Sequence, residues 1–155
     1  SLLQAVERIN SSMTRHLEKK VKNFYKSSLK NKTIMVWGLS FKPNTDDTRD
    51  SVAIKFINNI STKVKCLYVF DPVVEKIPDS IQNKKNIFCL KHKYQKISQC
   101  DALIICTEWK EFWNPDIDFI AKLNDKVIFD GRNILDYELM ESYGIKYFGI
   151  GVGRS

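Results

Sequence analysis

Two basic side chains follow different apolar strands, at positions where a parallel sheet can bind an anion. Lys42 lies in the segment after the first predicted strand, and Arg132 lies in the segment after the fifth. In an open parallel sheet, ligands bind at the carboxyl ends of the strands, near the point where the strand order reverses. Two cations at this edge favour a doubly charged ligand such as a diphosphate, whereas each alone is more often part of a surface ion pair. We therefore expect Lys42 and Arg132 to share one rim.

The segment after the first strand, residues 38–49, has two interpretations. It is not a G-x-G-x-x-G turn, because it contains one glycine, Gly38, whereas a dinucleotide fingerprint needs three. Lys42, Arg49 and the N–H groups at the start of the next helix are suited to bind a phosphate. In the alternative, the acidic side chains of this loop only cap the helix. Both interpretations are open on the residues alone.

The cysteines and histidines do not indicate a nucleophile or a metal site. Cys106 lies near the carboxyl end of the fourth strand, but neither His16 nor His92 sits in a motif that would activate it. The four cysteines form no C-x-x-C pair and are too few for a disulfide scaffold. We expect buried, reduced thiols in a cytoplasmic protein and no bound metal.

The composition is that of one globular domain with an appendage. The chain has 155 residues, of which 43% are hydrophobic and 28% are charged, which excludes a disordered or collagen-like chain. No apolar run approaches the roughly 20 residues of a membrane span, and the first residues do not resemble a signal peptide. The net charge is +7, of which +5 lies in residues 1–30. Because the rest of the chain is nearly balanced, we do not expect nucleic-acid binding.

Short apolar runs alternate with helical patterns after residue 30. The apolar runs predict strands, the fourth being the most apolar, and the spacing of apolar residues between them predicts helices. Strands that are apolar throughout indicate a parallel sheet covered on both faces. We therefore predict a three-layer α/β domain with a mainly parallel sheet over residues 30–155. The predicted strands are 33–37, 64–70, 87–90, 102–106, 127–129 and 145–148.

A long amphipathic helix precedes this domain. Residues 2–29 contain no proline or glycine, and apolar residues, including Val6, Ile9, Leu17 and Val21, recur at steps of three and four. Such a helix would be about 40 Å long, more than a small domain needs for its own packing. It either folds back along the domain or joins another segment or a second chain. We favour the second interpretation and treat residues 1–29 as a separate linking or dimerisation helix.

Four motifs follow one another along the chain. They are Gly38-Leu39-Ser40-Phe41-Lys42-Pro43-Asn44-Thr45-Asp46-Asp47-Thr48-Arg49-Asp50-Ser51, Tyr68-Val69-Phe70-Asp71-Pro72, Ala102-Leu103-Ile104-Ile105-Cys106-Thr107-Glu108-Trp109 and Phe129-Asp130-Gly131-Arg132-Asn133. In this order they resemble the C-terminal domain of the UDP-glucose/GDP-mannose dehydrogenase family, and the resemblance covers essentially the whole chain, up to Gly149-Ile150-Gly151. The Thr-Glu-Trp and Asp-Gly-Arg-Asn segments point to the UDP-glucose 6-dehydrogenase branch.

The resemblance implies a Rossmann-like domain that binds a UDP-sugar within a larger enzyme. That enzyme would oxidise UDP-glucose to UDP-glucuronate with two NAD, as a cytoplasmic homodimer that serves polysaccharide biosynthesis. Residues 1–29 would be the end of its central helix. The four cysteines here do not match the family's catalytic cysteine motif, and the NAD fingerprint is missing. We therefore expect this chain to bind but not to catalyse the reaction by itself.

The resemblance also implies roles for individual residues. Phe41, Lys42 and Arg132 match substrate-binding positions, and Arg49 matches an arginine that reaches NAD. No catalytic residue is expected here, and Glu108 and Trp109 are taken as structural. Two alternatives stay open. One is the same domain from a GDP-mannose or UDP-N-acetyl-sugar dehydrogenase, and the other is a non-catalytic nucleotide-binding or dimerisation module.

Overall fold

The computed structural model describes residues 1–49 and 51–150 of the chain. For residues 6, 7, 9, 10 and 11, the structure describes the backbone but not the side chains. The predictions for Asp50 and Gly151 in the motifs, and for the side chains of Val6 and Ile9 in the helix, lie outside the described residues.

Strands and helices alternate along the described chain. The strands are β1 Thr33–Trp37, β2 Cys66–Phe70, β3 Ile87–Cys89, β4 Ala102–Ile105, β5 Val127–Asp130 and β6 Lys146–Gly149. The α-helices are α1 Leu2–Tyr25, α2 Val52–Ile60, α3 Ile117–Ile120 and α4 Tyr137–Ser142. All six strands were predicted, and their observed ends differ from the predicted ends by at most two residues.

The strands form one sheet in the order β3-β2-β1-β4-β5-β6, and every neighbouring pair is parallel. The strand order reverses between β1 and β4. The carboxyl ends of all six strands therefore lie at one edge, and the loops after β1 and β4 flank the reversal point. The predicted parallel α/β sheet is confirmed.

Two apolar layers cover the two faces of the sheet. Alternate residues of β1 face opposite layers, as the strand period of two requires: Ile34 and Val36 pack with α1 and α2, whereas Met35 and Trp37 pack with α3 and α4. All four of these side chains are fully buried. This three-layer core fixes the strand ends and hence the loops at the carboxyl edge.

The N-terminal α-helix ends earlier than predicted, and part of it packs on the domain. The α-helix ends at Tyr25, and a 3-10 helix continues from Lys26 to Asn31, beginning with a positive φ of 52° at Lys26. Its second half folds back along the domain, where Leu17 and Val21 are fully buried. This half therefore packs on the domain, and the linking or dimerisation role of residues 1–29 stays a prediction. Leu2 and Leu3 in the first turn remain 82% and 74% exposed.

Candidate functional site at the carboxyl edge of the sheet

A buried carboxylate at the end of β2 shapes the loop after β1. Asp71 is 4% exposed, and its Oδ2 accepts hydrogen bonds from the backbone nitrogens of Leu39 and Ser40 at 2.8 and 3.1 Å. Its Oδ1 accepts two more, from Val73 and Val74, both at 2.9 Å. Asp71 therefore joins the start of the β1 loop to the start of its own loop.

Ser40 connects the β1 loop to the β4 loop. Its hydroxyl donates to the carbonyl oxygen of Lys42 at 2.9 Å and accepts from the indole Nε1 of Trp109 at 3.3 Å. The carbonyl oxygen of Ser40 accepts from the Thr107 hydroxyl at 3.2 Å. Thr107 and Trp109 are buried, so these contacts brace the backbone that carries Phe41 and Lys42.

Gly38 allows the same two loops to approach closely. Its φ is +97°, a conformation that side chains with a Cβ rarely adopt. A Cβ at this position would also overlap the side chain of Thr107. The tight junction between β1 and β4 therefore requires a glycine.

A second buried carboxylate, at the end of β5, shapes the turn that carries Arg132. Asp130 is fully buried and accepts from the backbone nitrogen of Arg132 at 2.9 Å and from the hydroxyl of Tyr147 at 2.7 Å. The backbone nitrogens of Ile134 and Leu135 also donate to it. Burial, together with the Asp130 charge, raises the pKa of the Tyr147 hydroxyl, which therefore stays a donor at ordinary pH.

The guanidinium of Arg132 is held on two sides. Its Nη2 donates to Glu108 Oε1 at 2.7 Å, and its Nη1 lies 3.9 Å from the sulfur of Met13 in α1. The Arg132 side chain is 28% exposed. Beside it, a Cβ at Gly131 would lie 3.0 Å from Leu17 Cδ1, so α1 packs directly on this turn.

Lys42 and Arg132 project from loops at the same edge of the sheet. Their strands, β1 and β5, are both neighbours of β4, so the loops start roughly 10 Å apart. Ser40 and Trp109 join the first loop to the β4 loop, and Glu108 joins the β4 loop to Arg132. The two loops therefore lie along one rim of the sheet, and a ligand shared by the Lys42 and Arg132 side chains stays a prediction.

Of the other residues predicted to bind, Phe41 lies on this rim with 41% of its surface exposed. Lys42 is also exposed and forms no ion pair within the described part of the chain. Arg49 binds Asp47 in its own loop through two hydrogen bonds, at 3.0 Å from Nε and 2.8 Å from Nη2, and its side chain is 87% exposed. These hydrogen bonds lower the pKa of the Asp47 carboxyl to about 2.

The Arg49 loop also borders a separate groove of about 640 Å³. Ser51, the residue that caps α2, and Lys55 and Lys76 line it. The side chain of Ser51 accepts from the backbone nitrogen of Ile54 at 3.4 Å, so a serine caps α2, rather than an acidic side chain of the loop. The residue that caps α2 is therefore different from Lys42 and Arg49, which are the residues predicted to bind an anion.

The cysteines show no sign of activation. Burial raises the pKa of the Cys106 thiol to about 12, although Arg132 acts in the opposite direction. Burial likewise raises the pKa values of Cys100, Cys66 and Cys89. Among the side chains that the structure describes, no group of three or more His, Cys, Asp or Glu is placed to bind a metal ion. None of the helices described is both long enough and apolar enough to cross a membrane.

Sequence reasoning missed the residues that organise the site. From the sequence, Asp71 and Asp130 have no role beyond their place in the motifs, and Glu108 is taken as structural without a partner. A signal was available, because each aspartate directly follows an apolar strand and precedes a proline or glycine turn. An acid at such a position is often buried, and a buried acid needs several hydrogen-bond donors.

The fold and this edge together define a doubly wound α/β domain of the nucleotide-binding type, with basic side chains beside the reversal point. The sequence model of the UDP-glucose/GDP-mannose dehydrogenase family, UDP binding domain, matches residues 35–137. The chain belongs to this family, as the four motifs predicted.

Relatives and solved structures agree with this assignment. The UDP-glucose 6-dehydrogenase of Rickettsia bellii is 36% identical over 152 residues, which are 97% of this chain and 35% of that protein. The UDP-glucose dehydrogenase of Pyrobaculum islandicum superimposes with a TM-score of 0.68 and 26% identity, over 84% of this chain and 28% of that one. The UDP-D-ManNAc dehydrogenase of Pyrococcus horikoshii gives 0.66 and 25%, over 96% and 31%.

The chain spans about a third of the length of the UDP-glucose 6-dehydrogenases that it matches. The aligned region corresponds in size to one domain of those proteins.

Proposed function

We propose that this chain binds the UDP portion of a UDP-sugar at the carboxyl edge of its sheet, between Phe41 and Lys42 on one side and Arg132 on the other. The observation that carries the proposal is the chain of contacts across this edge. It runs from Lys42 through Ser40 to Trp109 in the β4 loop, and from Glu108 in the same loop to Arg132. A diphosphate that lies above β4 would face a cation from each neighbouring loop.

The charges suit such a ligand. The Lys42 ammonium is a compact charge on a flexible stem, able to follow a phosphate oxygen, whereas the Arg132 guanidinium is planar and offers paired donors. Glu108 accepts from only one of the two Nη atoms, and a guanidinium has five N–H donors. The half-exposed ring of Phe41 offers an apolar surface to the uracil or the sugar.

The larger protein that this function implies is a UDP-glucose 6-dehydrogenase. It would convert UDP-glucose to UDP-glucuronate as a cytoplasmic homodimer, in the biosynthesis of polysaccharides. NAD, when bound, would supply the hydride acceptor. The residues here fit NAD only at its periphery, because Gly38 is the single glycine of the β1 turn while the exposed Arg49 is suited to a phosphate. Arg49 would therefore contact NAD held mainly elsewhere, and this chain alone would be inactive.

The sugar is the less constrained part of the proposal. A UDP-D-ManNAc dehydrogenase superimposes on this chain nearly as well as a UDP-glucose dehydrogenase does. Titration of UDP-glucose, UDP-N-acetylmannosamine and GDP-mannose into the protein ranks these alternatives. We expect both UDP-sugars to bind more tightly than GDP-mannose. Tighter binding of GDP-mannose would contradict a uridine site.

The binding site itself is tested by calorimetric titration of UDP into the wild-type chain and into Lys42→Ala and Arg132→Ala. Each substitution removes a charged hydrogen-bond donor, so we expect an affinity loss of about tenfold or more in each. Lys85→Ala is the matched control, since Lys85 is exposed and lies two residues before β3, at the opposite edge of the sheet. Unchanged affinity in both rim variants would overturn the assignment.

Catalysis is tested separately by mixing the chain with UDP-glucose and NAD and following the absorbance of NADH. We expect UDP binding without NADH formation, because none of the cysteines present matches the family's catalytic motif. Formation of NADH in proportion to the protein concentration would contradict the expected inactivity and would require a nucleophile among residues considered inert here.

A further inference from the structure

The ion pair between Glu108 and Arg132 links two neighbouring loops of the rim. Glu108 follows β4, and Arg132 follows β5. Because β4 lies between β5 and β1, this contact draws the guanidinium from its own turn toward the loop that carries Lys42. The distance of 2.7 Å from Nη2 to Oε1 is that of a strong charge-assisted hydrogen bond.

The opposite side of the guanidinium is also covered. Met13 of α1 lies 3.9 Å from Nη1, and the turn below is fixed by the bond from the Arg132 nitrogen to Asp130. The side chain is therefore held at its base by Asp130, on one flank by Met13 and at its tip by Glu108. Of these three, Glu108 alone forms a hydrogen bond with an accepting oxygen at the guanidinium.

We infer that Glu108 is a positioning residue for ligand binding: it orients the Arg132 guanidinium toward the diphosphate before the ligand arrives. The inference rests on the proposed function, since it concerns the same site. An arginine has several rotatable bonds, and binding a ligand through a disordered side chain costs the entropy of ordering it. A side chain already held in place avoids most of that cost.

Glu108 also carries a negative charge, which opposes the ligand. Its side chain is 41% exposed, so water and salt screen this repulsion. Removing the carboxylate, by contrast, takes away the only one of these three contacts that bonds the tip of Arg132 to an oxygen, while the contacts with Asp130 and Met13 are kept. We therefore expect the positioning effect to exceed the repulsion.

The test compares UDP affinity in the wild-type chain, Glu108→Ala and Glu108→Gln. We expect Glu108→Ala to bind UDP about three- to tenfold more weakly, the range for one side chain that must be ordered on binding. In Glu108→Gln the amide oxygen still accepts from Arg132, so we expect an affinity within about twofold of wild type. Neither change touches the backbone carbonyl of Glu108, which accepts from Trp113 Nε1.

Two controls separate positioning from charge and from folding. Glu111→Ala removes a carboxylate in the same segment that pairs with Lys93 instead, and we expect it to leave UDP affinity within about twofold of wild type. In the Arg132→Ala background, Glu108→Ala should no longer weaken binding, because the group that it positions is gone. Thermal unfolding within about 2 °C of wild type shows that the fold is kept.

Equal or tighter UDP binding by Glu108→Ala would overturn the inference, as would a loss of the same size in the Arg132→Ala background. If Glu108→Ala does not fold, Glu108→Thr takes its place. We then expect Glu108→Thr to bind UDP more weakly than wild type and Glu108→Gln to bind it about as tightly as wild type. The failure of the proposed function looks different: in that case Arg132→Ala and Lys42→Ala have no effect on UDP binding.

Discussion

The carboxyl edge is built twice, around Asp71 on one side and around Asp130 on the other, and the two halves treat their cation differently. Each carboxylate is buried at a strand end and accepts four hydrogen bonds. The Asp71 half holds the backbone before Lys42 but leaves the ammonium itself exposed. The Asp130 half holds the Arg132 backbone, and Glu108 and Met13 also hold its guanidinium.

The difference shows that a loop and the side chain that it carries are held in place by different contacts. The buried aspartates fix the backbone from which each cationic side chain extends. Contacts at the tip decide whether the cation is fixed before a ligand binds. At an edge with one exposed and one held cation, the flexible stem of Lys42 can follow the position of a phosphate, while the held guanidinium of Arg132 keeps its direction.

Removing either buried carboxylate is expected to have the largest effect. In Asp130→Asn and Asp71→Asn an NH2 group replaces one of the two carboxylate oxygens. This group cannot accept the hydrogen bonds that the oxygen accepted, so buried hydrogen bonds are lost. We expect each variant to lower the free energy of unfolding by about 4 kcal/mol, measured by urea denaturation. If one of the two variants lowered the free energy of unfolding by less than about 1 kcal/mol, the two aspartates would not stabilise their halves of the edge in the same way.

Glycine substitutions should sharpen the comparison at a smaller magnitude. Gly38→Ala combines a positive φ with overlap of Thr107, and we expect a loss of stability of about 3 kcal/mol. Gly131→Ala meets Ile105 O and the flexible Leu17 side chain at 3.0 Å, and we expect about 1 kcal/mol. Thermal or urea unfolding of both variants provides the measurement. The reverse order would mean that α1, rather than the β1–β4 junction, is the tighter contact.

The smallest effect concerns the exposed ion pair between Arg49 and Asp47. Hydrogen bonds from Arg49 hold the pKa of Asp47 at about 2, below its unfolded value. Any stability it adds is therefore present above about pH 4 and is lost as the pH falls toward 2. In Arg49→Ala the backbone nitrogen of residue 49 still donates to Asp47, so we expect the Asp47 pKa, followed by NMR, to rise only part of the way to its ordinary value, with little change in stability at pH 7. An unchanged pKa would show that another group lowers it.

The sequence was sufficient for the elements and the shared edge but not for the contacts that hold it. Apolar β-branched runs such as Thr33–Trp37 have few alternatives to a buried strand, so the strands were predicted nearly to the residue. The end of α1 was not, because no proline or glycine marks the change at Lys26 and the packing of Leu29 in the core accompanies it. The Glu108–Arg132 pair joins residues 24 positions apart, beyond the reach of any local pattern.

A crystal structure of the chain with UDP tests the central claim most directly. We expect one diphosphate with oxygens about 3 Å from both Lys42 Nζ and the Arg132 guanidinium, above the end of β4. A diphosphate bound in another groove, or in contact with only one of these two side chains, would contradict the account.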